Sequence, residues 1–298
     1  MSIVVVGSVA LDSIETPFGK VERALGGSAT YFSIAASFFH PVRLVAIVGE
    51  DFSEDHLKLL ESHGVDLEGL VRAKGKTFHW KGRYNDLNVA ETLATELNVY
   101  ADFDPELPER YRESEYIFLA NINPDLQLKV LNQVRSPKLV ACDTMNLWIN
   151  TAPDDLMEVL KRVDLLIIND SEAKMIAGEE NLIAASRKLL EIGPERVIVK
   201  KGEHGAVSLT SKSFFAIPAY PVERVVDPTG AGDSFAGGLI GYLASTGRSD
   251  EESWRRAIAY GTVLASFNVE DFSLRRVSSI SREEIEKRLD QLREMTRF

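Results

Sequence analysis

A chain of 298 residues, 45% hydrophobic and 27% charged, can bury an extensive core and sits near the globular average, which excludes a mini-protein, a fibrous chain and a disordered one. Its 34 basic and 45 acidic side chains leave a net charge of −11, which argues against a broad nucleic-acid surface but leaves room for a local basic pocket. No apolar run reaches the ~18 residues of a bilayer span, MSIVVVGS lacks a basic n-region, and the single cysteine, Cys142, cannot close an internal disulfide; the expectation is a cytoplasmic protein with no membrane and no nucleic-acid partner.

The first apolar run, IVVVG (3–7), leads into GSVALD rather than GxGxxG, so the dinucleotide fingerprint is missing where it would have to stand. LDSIETPFGKVERALGG (11–27) then carries turn signals instead of a helical pattern. RLVAIVG (43–49) reads as a second buried strand, and SEDHLKLLESHG as a helix capped by Ser53, with Leu57, Leu60 and His63 three apart and Gly64 as its stop. KTFHWKGRYNDLNVAETL (76–93) alternates aromatic and basic residues and, like 11–27, reads as an extended segment able to pair into a small separate sheet. Four more apolar runs follow: YIFLAN (116–121), KLVAC (138–142), DLLIIN (164–169) and RVIVK (196–200). Strands this uniformly apolar suit a parallel sheet covered on both faces. Their alternation with helical patterns predicts an α/β, doubly wound, mostly parallel sheet with helices on both sides. Without repeats or a low-complexity linker the chain reads as one domain, 1–298, with lid segments at about 12–25 and 76–100 beyond the carboxyl ends of the strands.

The chemistry concentrates in VVDPTGAGDSFAGG (225–238). Gly230 and Gly232 flank Ala231, and SFAGGLIGYLA (234–244) then reads as a helix of small residues packed closely on a neighbour. A glycine turn at a helix N-terminus presents free N–H groups and the positive end of the macrodipole, which favours an anion. Asp233 at that terminus is compatible with a first-turn acid or N-cap, and equally with a carboxylate that takes a proton from an attacking hydroxyl. GxxxxGK[ST], an HRD-type loop, GxSxG and spaced Cys/His ligands are all absent from the sequence, which sets aside P-loop, protein-kinase, esterase and zinc chemistry.

DPTGAGDSFAGG resembles the C-terminal signature of the ribokinase (PfkB) family of carbohydrate and nucleoside kinases, and the resemblance extends along the whole chain. It implies a ribokinase-like fold with a small β lid, ATP and Mg²⁺ as cofactors, and a monovalent-cation site that no residue here identifies. Asp233 is then the base, with the amides of Gly230, Ala231 and Gly232 as the anion hole. NDSE (169–172) is similar to the family's NxxE motif, which gives Asn169 and Glu172 magnesium and phosphate handling, although an N-cap with an acid at its third position would look the same. KKGEHGA (200–206) resembles the strand end near the nucleotide, so Lys201, Gly202 and Gly205 join Thr229 as nucleotide-side residues. Asn268, in RRAIAYGTVLASFN (255–268), falls where relatives close the adenine pocket. On the acceptor side GSVALD supplies Asp12, and GGSATY (26–31) resembles the glycine-pair signature through Gly26 and Gly27, with Tyr31 where asparagine is usual. CDTMNLW (142–148) keeps Asp143, Asn146 and Trp148 of a fructokinase-like segment without its arginine, and Asn121, Asn123, Phe78, Trp80 and Tyr84 are further possible linings. The implied function is ATP-dependent phosphorylation of a hydroxyl on a small neutral sugar or polyol, with a nucleoside as the alternative acceptor. An idle nucleotide-binding relative is the reading from another class. The lid serves as a homodimer interface in some members of the family.

Overall fold

The structure, a computed structural model, describes residues 2–87 and 89–297. Nine strands form the main sheet: β1 (Ile3–Val6), β4 (Val42–Val48), β5 (Val65–Arg72), β8 (Tyr116–Leu119), β9 (Leu139–Cys142), β10 (Leu165–Asn169), β11 (Arg196–Lys200), β12 (Ala206–Leu209) and β13 (Phe214–Ile217). Their order is β13-β12-β11-β10-β9-β8-β1-β4-β5. Every pairing from β5 to β11 is parallel, and β12 and β13 add an antiparallel edge. From β1 the chain winds outward in both directions, which opens a crevice beyond the carboxyl ends of the central strands.

Alternation along each strand sends side chains into two separate cores. Ile3 and Val5 enter a core formed with α1 (Ser28–Ser37), α2 (Glu54–Ser62), α8 (Ala231–Thr246), α9 (Glu251–Asn268) and α10 (Arg282–Met295). Val4 and Val6 enter the other, under α3 (Pro124–Leu131), α5 (Pro153–Leu160), α6 (Asp170–Ala177) and α7 (Leu182–Ile192); the short α4 (Asn146–Thr151) lies at its margin. Both faces are therefore covered, which is why the runs are apolar throughout. The expected capped helix at 53–64 is α2, its Ser53 hydroxyl accepting the His56 N–H, with Gly64 at φ 70° just past its end.

Helix α8 is wedged between α1 and α9, and its small residues make that possible. A Cβ on Gly237 would lie 2.4 Å from the Phe32 carbonyl oxygen, and one on Gly241 would lie 2.8 Å from that of Ala36. On the opposite side Gly238 faces the Tyr260 carbonyl at 3.0 Å.

The two irregular segments form a second sheet of β2 (Ala10–Thr16), β3 (Gly19–Gly26), β6 (His79–Asp86) and β7 (Val89–Glu96), in the order β3-β2-β6-β7. β2 and β6 are parallel, and each outer pair is antiparallel. A third small core of Ile14, Tyr84 and Phe272, with Val21, Trp80, Leu87 and Val226 beside it, joins this sheet to the segment that carries the glycine turn. Burying Ile14 and Phe272 contributes roughly 1.5–3 kcal/mol each.

Candidate active site

The turn before α8 is fixed from three sides. Asp227 is fully buried, and its carboxylate accepts the N–H of Thr229 at 2.9 Å and that of Ser273 at 3.0 Å. Gly230 caps α8 at φ 76°, where a Cβ would sit 2.3 Å from ring carbons of Tyr31. Only glycine satisfies both that dihedral and that contact. Asn268 closes the third side: its Nδ2 donates to the Thr229 carbonyl at 2.7 Å, and its Oδ1 accepts the Ser234 hydroxyl at 3.1 Å. Asn268, the residue expected at the adenine pocket, is fully buried, with both halves of its amide bonded to the turn and to α8. The Ala231 N–H already makes a 3.2 Å bond to the Pro228 carbonyl. Asp233 stands half-buried in the first turn of α8, and no side-chain bond caps that helix.

Three neighbouring strands deliver the facing groups. Asp143 directly follows β9, Asn169 ends β10 and Lys200 ends β11. The Lys200 ammonium donates to Asp143 Oδ2 at 3.0 Å, while Asp143 Oδ1 accepts the Thr144 N–H at 2.8 Å. Asn169 and Glu172 form a reciprocal capping box on α6, with both bonds at 2.8 Å. The cap reading of NDSE is thus present, and it holds the buried Glu172 carboxylate near Asp143 and Lys200. The Lys201 backbone N–H closes the following loop on the Gly205 carbonyl at 2.7 Å. Gly202 and Gly205 adopt φ 54° and 85°, and a Cβ on Gly205 would lie 2.0 Å from the Ile217 carbonyl oxygen. The lysine that enters the site is Lys200, which sequence reasoning passed over. Strand alternation points to it: Ile198 faces the α8 side, so Lys200, two residues on, faces the same way.

On the acceptor side, Asp12 is 4% exposed and lies against the glycine pair. A Cβ on Gly26 would be 1.9 Å from Asp12 Oδ2; Gly27, at φ 95°, starts α1, where a Cβ would be 2.5 Å from the Ser8 carbonyl oxygen. Tyr31 is buried, and its hydroxyl has no hydrogen-bond partner among the described residues. From the small sheet, Tyr84 reaches the turn, its phenol oxygen accepting the Thr229 hydroxyl at 3.1 Å. The other suggested linings are engaged elsewhere. Asn121 accepts the Trp148 indole N–H at 3.0 Å, Asn123 caps α3, Phe78 packs on Tyr100, and Trp80 covers Gly82 and bonds Thr92.

So many carboxylates in one crevice perturb one another. Burial, then the charge of Asp143, pushes Asp233 up to about 8, with Asp12 adding to the rise and Lys200 opposing it. Burial and Asp143 likewise raise Glu172 to about 7, and burial with Asp227 raises Asp12 to about 7. Burial alone would lower the Lys200 ammonium, yet Asp143, Glu172 and Asp233 together hold it above the ordinary lysine value. The donor set suits Mg²⁺, because buried acids raised this far gain from a cation. No group of three or more His, Cys, Asp or Glu that could hold a metal ion lies among the described residues; Mg²⁺ in general keeps several waters and binds through one or two carboxylates and substrate phosphates.

A glycine turn at a helix N-terminus, a carboxylate in its first turn and a crevice at the strand ends suit a phosphotransferase acting on an alcohol. Residues 2–280 match the pfkB family carbohydrate kinases. The chain is 34% identical over 263 residues to the cytidine kinase of Thermococcus kodakarensis, covering 86% of this chain and 92% of that one. Its fold is similar to that of a Burkholderia thailandensis nucleoside kinase in complex with inosine (TM-score 0.82, 18% identity, 97% of each chain). It is similar too to that of an E. coli putative ribokinase II in complex with ATP and Mg²⁺ (TM-score 0.81, 20% identity, 97% of this chain and 99% of that one). The chain belongs to the pfkB family of carbohydrate kinases and is an ATP-dependent phosphotransferase with a sugar-like acceptor.

Proposed function

We propose that the acceptor is a nucleoside, cytidine first among those to be tried, and that its sugar hydroxyl receives the γ-phosphoryl group of ATP. The observation that carries this is the 34% identity to a cytidine kinase across 86% of the chain. Asp12, beside the Gly26–Gly27 pair, holds sugar hydroxyls, and Tyr31 lines the same side with an uncommitted hydroxyl. Asp233 accepts the proton of the attacking hydroxyl as the new oxygen–phosphorus bond forms. The bond from the γ-phosphorus to its bridging oxygen breaks at the same time, and ADP leaves with that electron pair. The amides at 230–232 stabilise the oxygens of the transferring group. Glu172, oriented by Asn169, would hold Mg²⁺ through water, and the ion supplies charge neutralisation at the triphosphate. The four-stranded sheet serves as a lid that excludes water and suppresses hydrolysis of ATP. A homodimer through the lid would use β7, the outer strand, where Val89 and Leu93 are exposed.

The test is ADP production in a panel of pyrimidine and purine nucleosides, ribose, deoxyribose and polyols. A kcat/KM for ribose or a polyol equal to that for every nucleoside would overturn the assignment in favour of a sugar kinase. Asp233→Asn should lower turnover at least about a thousandfold with ATP binding retained; unchanged turnover would remove Asp233 from its role.

A further inference from the structure

We propose that Lys200 is a catalytic residue of this site, its ammonium binding an oxygen of the transferring phosphoryl group from beneath the glycine turn. The proposal rests on the kinase reading above and on the anion hole at 230–232.

The geometry places the ammonium there. A Cβ built on Gly232 would lie 2.8 Å from Lys200 Nζ, so any larger residue at 232 would displace the cation, and the glycine lets it lie directly against the turn. The Lys200 side chain is 18% exposed, and among the described residues its ammonium has one hydrogen bond, the 3.0 Å contact to Asp143. An ammonium has three donors on a flexible four-carbon stem, so two remain for another acceptor.

Charge leads to the same place. Asp12, Asp143, Glu172 and Asp233 lie close enough to raise one another, and whichever of them is ionised repels a triphosphate. Amides alone supply only partial charges against it, and one of the three, that of Ala231, already has a bond to Pro228. Lys200 supplies a full positive charge acting on Asp143, Glu172 and Asp233 together. In the nucleotide-free protein Asp143 keeps the ammonium in place. An arriving phosphoryl oxygen would share it, or draw it off by rotation of the stem. No bond is made or broken at the lysine, and no proton leaves it.

The experiment compares Mg²⁺-dependent binding of ADP and of a non-hydrolysable ATP analogue by calorimetry, alongside turnover, in the full chain and in Lys200→Met. Loss of a γ-phosphate ligand should cut kcat about 100- to 1000-fold. It should also weaken the ATP analogue at least about tenfold while leaving ADP within about twofold. Equal weakening of both nucleotides, or neither, would overturn the proposal. Should Lys200→Met leave Asp143 unpaired and the protein misfolded, the pair Asp143→Asn with Lys200→Met removes both charges, and the analogue-to-ADP ratio is read there by the same criteria. The underlying kinase reading fails differently, through turnover that survives Asp233→Asn.

Discussion

Asp233 carries a conflict between folding and chemistry. Unfolded, it ionises near 3.8; folded, burial and the neighbouring Asp143 raise it to about 8. For an acid raised on folding, the folded state binds the extra proton, so its contribution to stability is full below about 4 and is lost as pH rises through about 8. Glu172 and Asp12, raised to about 7, add the same sign over a narrower window. The nucleotide-free protein is therefore expected to lose thermal stability between pH 5 and pH 8.5. Asp233→Asn should flatten that curve and raise Tm at pH 8.5 while it abolishes turnover, the usual opposition between stability and activity. A variant whose Tm falls in parallel with wild type across this range would show that Asp233 is not the strained group. GAGD by itself left Asp233 open between a helix cap and a base, and the proposal of Asp233 as base comes from the resemblance of the surrounding motif to the family signature. Lys200 was not read, because KKGEHGA offers two lysines and only the face on which β11 ends distinguishes them.

At the level of elements, the apolar runs and their order were readable, since strands buried on both faces have little freedom in composition. The small-residue helix was read as closely packed, and α1 and α9 are the partners that its glycines admit. The part Asn268 plays in the turn was not legible, because a position on α9 fixes which residues are near the crevice but not whether an amide faces ligand or neighbouring backbone. The four-stranded sheet meets the turn through Tyr84, and this bond makes closure testable. Tyr84→Phe deletes the acceptor of the Thr229 hydroxyl, a loss of about 0.5–1.5 kcal/mol. It should raise the KM for the acceptor about two- to tenfold and increase ATP hydrolysis in the acceptor's absence, with little change in fold stability. If hydrolysis without acceptor is unchanged and KM is unaffected, the contact has no part in closure.

Across the whole molecule, the doubly wound topology puts residues from five distant stretches of sequence into one crevice: Asp12, Asp143, Glu172, Lys200 and Asp233. Their convergence is not visible in any local pattern, because it depends on the lateral order of β8 to β11 beside β1. Family resemblance supplied it for the acids, whereas the cation needed coordinates. One buried residue also links the two substrate sides. The Asp227 carboxylate accepts N–H groups from Thr229 in the phosphate turn and from Ser273, whose hydroxyl donates to the Leu25 carbonyl at the root of the small sheet beside Gly26. If acceptor binding shifts that root, the turn is reached through three hydrogen bonds, Leu25 to Ser273, Ser273 to Asp227 and Asp227 to Thr229. By linkage, any such coupling is reciprocal: acceptor and nucleotide change each other's Kd by the same factor, about fivefold if the coupling reaches 1 kcal/mol. Calorimetric titration of an ATP analogue with and without a non-reactive deoxynucleoside acceptor measures that factor. Ser273→Ala should bring it toward one while leaving each separate affinity nearly intact, and this would make the enzyme's synergy between its two ligands a property of a single serine hydroxyl outside either binding site.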